Sequence, residues 1–94
     1  MNKDEGISFF AGIYKDDSWK RYSNNFLGVD IPNDLEDILP KDVLQPLLYL
    51  LGEEYVYKWI KFKFSCIDNM TPIELANSEE GLKALKAFIM RMPN

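Results

Sequence analysis

Thr71-Pro72-Ile73-Glu74-Leu75, followed by Ser78-Glu79-Glu80-Gly81 and then Leu82 through Met92, is the stretch that decides the fold. Thr71 has a side-chain oxygen that can accept from the first turn of a helix, Pro72 suits the first helical position, and Glu74 can reach back to the cap. That helix is short, because Asn77 and Ser78 start another. Ser78 caps it, and Glu79 and Glu80 place negative charge where the helix dipole favours it. Leu82, Leu85, Ile89 and Met92 then recur along one side, with Phe88 widening the stripe. Lys83, Lys86 and Arg91 lie nearer the other side or the C-terminal end, and Pro93 stops the helix.

Gly81 breaks this pattern. A glycine inside a helix costs roughly 1 kcal/mol relative to alanine. Its use is to let another element approach the backbone, and Trp59 is the side chain expected to need that room.

Working back towards the N-terminus, Glu53 and Glu54 open a further helix, with Tyr55, Val56, Trp59 and Ile60 as its stripe, expected to run to about residue 62. The alternation of Ile60, Phe62 and Phe64 with Lys61 and Lys63 leaves residues 61–64 open to a strand. Lys58, Lys61 and Lys63 read as a solvated fringe. Before this, Asp42 and Gln45 suggest a capping box, and Val43, Leu44, Leu47, Leu48 and Leu51 form a helical stripe closed by Gly52. Pro46 fits such a helix only in its first turn, since it has no N–H to donate. Leu35, Ile38 and Leu39 share a face after Pro32 and Asn33, and Pro40 ends that pattern. Trp19, Tyr22 and Phe26 follow the cap-type residues Asp16, Asp17 and Ser18, with Gly28 placed as a helix C-terminal glycine. Residues 7–14 fit either a short strand or a helix, and residues 1–6 read as loose.

These readings combine into an all-α fold: a small bundle of about five short helices, with one short N-terminal strand left open. An acidic region, 1–47, precedes a region 48–94, the two forming one compact domain. The chain has 94 residues, 13 aromatics and a net charge of −4. Residues 1–52 hold 5 basic and 9 acidic groups, whereas residues 53–94 hold 6 of each. Most of the excess lies at Asp30, Asp34, Glu36, Asp37 and Asp42. Such a balance disfavours phosphate backbones, so no direct contact with nucleic acid is expected. The longest unbroken apolar run, Leu47–Leu51, is far below the roughly 20 residues of a membrane span, so no membrane association is expected.

The chain has no histidine and a single cysteine. This excludes His-assisted catalysis, a His/Cys zinc site and an internal disulfide scaffold. Cys66 reads as a small buried hydrophobe and fits a reducing cytoplasm. Glu53/Glu54 and Glu79/Glu80 are adjacent on helices and point apart, which suits helix starts better than an acid–base dyad. The glycines are scattered, with no phosphate-binding loop. The expectation is a protein that is not an enzyme, with no catalytic residues, no metal and no cofactor.

From Leu48 to Met92 the chain resembles the toxin-binding domain of Xre/MbcA/ParS-type antitoxins. The resemblance is carried by Leu51-Gly52, Trp59-Ile60, Ile67, Thr71-Pro72-Ile73-Glu74-Leu75, Ser78-Glu79-Glu80-Gly81, Leu85 and Ile89, in order and without an insertion. Lys63-Phe64 and Asp68-Asn69 stand where the family often has Pro-Asn and a glycine pair. The resemblance implies a protein partner: a toxin of the NAD-degrading RES type or a related one, neutralised by blocking its active-site entrance. It also implies a tendency to form homo-oligomers. The motif residues Gly52, Trp59, Ile60, Ile67, Thr71, Pro72, Leu75, Ser78, Gly81, Leu85 and Ile89 are assigned to the scaffold. Asp68, Asn69, Met70, Met90, Arg91, Met92, Pro93 and Asn94 are the partner-contact candidates. Two alternatives stand beside this one: a small acidic inhibitor or accessory protein of a mobile element, and an oligomerisation module without a toxin.

Overall fold

The computed structural model describes residues 5–92 and is all-α. Its helices are α1 (Glu5–Ile13), α2 (Asp16–Ser23), α3 (Asn33–Glu36), α4 (Lys41–Leu51), α5 (Glu53–Trp59), α6 (Pro72–Leu75) and α7 (Glu79–Met90). Short 3-10 turns cover Asn24–Phe26 and Ser65–Ile67. α3 and α6 are single turns of four residues. Residues 7–13, left open between strand and helix, are helical. Phe64 and Met70 form an isolated antiparallel bridge, so residues 61–64 make no longer strand. Pro93 and Asn94 lie outside the described residues.

The signals around α6 and α7 are realised directly. The Glu74 N–H donates to Thr71 Oγ1 at 3.1 Å, and the Thr71 N–H donates to Glu74 Oε1 at 2.9 Å. This backbone donor holds the Glu74 carboxyl below its ordinary pKa. Ser78 Oγ accepts from the Gly81 N–H at 2.9 Å, capping α7. Leu75, Leu85 and Ile89 are fully buried.

What approaches Gly81 is a different group from the one expected. A Cβ there would run into the Leu75 carbonyl oxygen and Ser78 Oγ. The glycine therefore makes room for the C-terminal end of α6, folding back over the start of α7. Trp59 packs two turns further along, stacked on Phe88 at 6.1 Å and against Phe64 at 5.1 Å. The expected pairing of Trp59 with Gly81 is thereby replaced by two separate joints on the same helix.

α4 is the central helix, with Val43, Leu44, Gln45, Pro46, Leu47 and Leu48 all buried. It starts at Lys41, behind Pro40, and no side chain caps it. The expected Asp42–Gln45 capping box does not form, because tertiary partners claim both side chains. Gln45 Nε2 donates to the carbonyls of Leu27 at 2.8 Å and Val29 at 3.1 Å, pinning the segment between α2 and α3. Asp42 Oδ2 accepts from Trp19 Nε1 at 2.7 Å and pairs with Lys86 Nζ at 3.6 Å. Pro46 is the sixth residue of α4 rather than a first-turn residue. Burial of its ring offsets a missing N–H that ordinarily costs about 3 kcal/mol in a helix interior.

Several other expectations shift for local reasons. α5 stops at Trp59, three residues early, because Lys61 and Phe62 turn back on Lys58 and Trp59 with i→i+3 hydrogen bonds. Gly28 has no left-handed conformation; Gly52, with φ of +85°, is the glycine that requires one, and it lets α5 follow α4 after a single residue. Ile38 is exposed, since α3 ends before it and only Leu35 and Leu39 point inward. Cys66 is exposed rather than buried, while Ile67 beside it is fully buried.

The core draws on both parts of the sequence, from Ile7, Trp19, Leu35 and Leu44 to Val56, Ile60, Leu75 and Leu85. α1 packs most extensively on α7, with Phe10 edge-on to Phe88 at 5.5 Å. α3 is tied to α5 by the Tyr57 hydroxyl, which donates to both Asp34 carboxylate oxygens at 2.8 and 2.9 Å. That hydrogen bond pushes the Tyr57 pKa up to about 12. A phenol whose folded pKa exceeds its unfolded value contributes stability below the unfolded pKa and loses it as pH rises through the folded one. Tyr57→Phe is therefore expected to flatten the fall in thermal midpoint between roughly pH 10 and 12. Tyr14 leaves part of the slope in place, since burial and its hydrogen bond to Asp16 raise its pKa too. Midpoints measured across this range for both proteins check it, and identical slopes would refute it.

A candidate protein-binding groove

The partner-contact candidates divide among three places. Asp68 and Asn69 are consecutive left-handed residues, with φ of 62° and 58°. This turn aims the Asp68 carboxylate at the start of α1, where it accepts the Gly6 N–H on Oδ1 and the Ile7 N–H on Oδ2, both at 3.1 Å. An acid at a helix N-terminus satisfies orphan donors and complements the dipole. Gly6 lies so close that a Cβ would meet the Cys66 carbonyl. Both oxygens of Asp68 are thus engaged inside the chain, while the Asn69 side chain is exposed and Met70 is half-buried beside Phe64. Met90 and Arg91 line a hollow of about 330 Å³ with Ile13, Lys15, Ser18 and Ala87. Met92 lies on another face.

Met92 helps to line an apolar groove of about 480 Å³, together with Leu51, Tyr55, Lys58, Trp59, Phe62 and Phe64. Its construction follows from α5. Val56, Trp59 and Ile60 turn inward and are buried, which leaves the adjacent side of the helix outside. Tyr55 and Lys58, three residues apart, lie on that outer side of α5, while Leu51 at the end of α4 and Phe62 in the turn after α5 extend the lining at either end. Tyr55 is 55% exposed; Phe62 is 59% exposed. The rings form a continuous series. Phe62 meets Phe64 edge-on at 4.8 Å, and Phe64 packs on Trp59 and, at 5.2 Å, on Phe88.

Tyr55, expected in the buried stripe with Val56, Trp59 and Ile60, stands outside instead, because the face of α5 that turns inward begins at Val56; Phe62, expected in an alternation with Ile60 and Phe64, lies at the surface beyond the end of the helix. Among the described residues, the groove's lining holds one cation, Lys58, and no carboxylate. It can bury apolar side chains against aromatic rings and pair with an anion at its lip. Among the described residues no group of three or more His, Cys, Asp or Glu side chains could hold a metal ion, and no helix is long and apolar enough to cross a membrane.

The acidic stretch is partly consumed within the fold. Asp34 receives the Tyr57 hydroxyl and Asp42 serves Trp19 and Lys86, which leaves Asp30, Glu36 and Asp37 exposed. Comparison of the chain with protein-family models, curated proteins and solved structures finds no match in any of the three.

Proposed function

We propose that this chain is a non-enzymatic protein-binding module that neutralises a cytoplasmic toxin, RES-type or related, by covering the entrance to its active site. The observation that carries the reading is the exposed aromatic groove between α5 and the end of α7. Large rings and methionine at the surface are the side chains that concentrate binding energy when a partner excludes water from them. Resemblance of residues 48–92 to antitoxin toxin-binding domains supplies the class of partner. The alternative, an acidic inhibitor, has less support, because Asp34 and Asp42 spend their charge on internal partners.

The test is co-expression with RES-type toxins, starting with any that is encoded beside this protein. The native chain should restore growth and cellular NAD and should co-purify with the toxin. Phe62→Asp, at a solvent-exposed position, should fold normally and weaken the complex at least tenfold. A toxin that stays lethal and fails to co-purify with the native chain would overturn the proposal.

A further inference from the structure

The groove shares a wall with the seat of α1. The loop 64–70 is closed on itself: the Phe64 N–H donates to the Met70 carbonyl at 3.2 Å, and the Phe64 carbonyl accepts from the Ile67 N–H at 3.1 Å and the Asn69 N–H at 3.0 Å. From this loop the Phe64 ring enters the groove lining, while the Asp68 carboxylate holds the Gly6 and Ile7 N–H groups. The Cys66 carbonyl lies where a Cβ on Gly6 would stand, so the backbone of α1 is seated on the loop as well. A second path runs through rings: Phe10 of α1 meets Phe88, and Phe88 packs on both Trp59 and Phe64.

α1 lies close along α7, yet it buries little. Among its described side chains Ile7 is the buried one; Phe10, Ala11 and Ile13 are half-buried, and Phe9 is exposed. α4, by contrast, buries Val43 through Leu48 in succession. Gly6 and Gly12 lower the helix propensity of α1. Its C-terminal end joins α2 through Tyr14 and the extended Lys15. The clip itself requires Asp68 and Asn69 to hold left-handed conformations, which residues other than glycine adopt at a cost. A helix with few buried side chains, a clip at one end and a hinge at the other is suited to open as a unit below global unfolding. We propose that α1 is a strap, released when Asp68 lets go of the Gly6 and Ile7 N–H groups, and that its docking sets the shape of the groove. With the strap lifted, the loop 64–70 loses the contacts that hold Asp68 left-handed, and Phe88 loses the Phe10 ring behind it. Both effects act on walls of the groove, whatever partner fills it.

Hydrogen exchange followed residue by residue by NMR tests this, first on the native protein. The amides of Gly6, Ile7 and Phe9–Ile13 should exchange together, at least tenfold faster than those of Leu47 and Leu48 on α4. Gly6→Leu, whose Cβ runs into the Cys66 carbonyl, should release the strap outright. In that protein the α1 amides should lose their protection while Leu47 and Leu48 keep theirs. The Phe64 N–H should then exchange at least tenfold faster than in the native chain, and the Trp59 indole N–H resonance should move, with the Leu35 amide on α3 unchanged as a reference. Native α1 and α4 amides exchanging at one rate would overturn the proposal, since α1 would then open only in global unfolding. So would a Gly6→Leu chain that keeps α1 protected or that fails to fold at all. A released strap with the Phe64 N–H and the Trp59 indole as in the native chain would overturn it too, because the docking of α1 would then not reach the groove.

Discussion

Gly81→Leu is expected to lower the thermal midpoint by roughly 12–24 °C, the shift that a loss of about 3 kcal/mol produces in a domain of this size. The reason lies in what the glycine faces. A Cβ at position 81 meets Ser78 Oγ and, closer still, the Leu75 carbonyl oxygen. The serine can rotate away, but it then abandons the Gly81 N–H that it caps. Losing such a cap costs about 1 kcal/mol. The carbonyl belongs to the last turn of α6, which the Thr71–Glu74 box holds in place. Moving it shifts α6 and the buried Leu75 together. Even Gly81→Ala should be destabilising, although alanine improves intrinsic helix propensity by about 1 kcal/mol. Combining it with Ser78→Ala should cost less than the sum of the two single changes, because the second removes one of the colliding atoms. Calorimetry on the four proteins reads this directly. A leucine variant that melts within two or three degrees of the native chain would show that α6 does not press on α7 as described.

The ease with which the sequence discloses this joint contrasts with the opacity of others. Caps are local: Thr71, Pro72, Glu74 and Ser78 state their business within four residues, and so the starts of α6 and α7 are legible to the residue, whereas α7 ends at Met90, before the Met92 and Pro93 that its pattern includes. The leucine stripe of α4 was equally plain. Gln45 and Asp42 were misread for the converse reason. Their spacing satisfies a capping pattern, yet each is taken by a partner from another part of the chain, 16 to 23 residues away. Asp68 is the extreme case. It sits in a loop that reads as surface, and the donors it serves lie more than 60 residues earlier. Nothing in the neighbourhood of Asp68 announces the start of α1, and nothing at Gly6 announces Asp68. The groove was half legible. Trp59, Phe64 and Met92 stood out by type, but which aromatic positions on α5 stay outside depends on the turn at Gly52 and on α7 lying behind it.

Trp19→Ala is expected to be comparably severe, at about 3–5 kcal/mol, against a total stability that for such domains is about 5–15 kcal/mol. Trp19 is 2% exposed and ties three helices together. Its ring packs on Tyr22 at 5.6 Å, its Nε1–H bonds Asp42 on α4, and the Lys86 ammonium from α7 lies 5.5 Å from its centroid. The indole does two separable things, filling volume and directing polar groups, and a graded series separates them. Trp19→Phe keeps most of the apolar volume and loses the Nε1–H donor. Asp42 is partly exposed and still paired with Lys86, so water can replace that donor, and the expected loss is about 1–2 kcal/mol. Asp42→Asn keeps an acceptor for the indole and removes the ion pair, which at a partly exposed site contributes at most about 1 kcal/mol. The predicted order is therefore alanine far below phenylalanine, with the asparagine variant nearest to the native chain. An asparagine variant as damaged as the alanine one would mean that charge, not packing, holds α2 against α4 and α7.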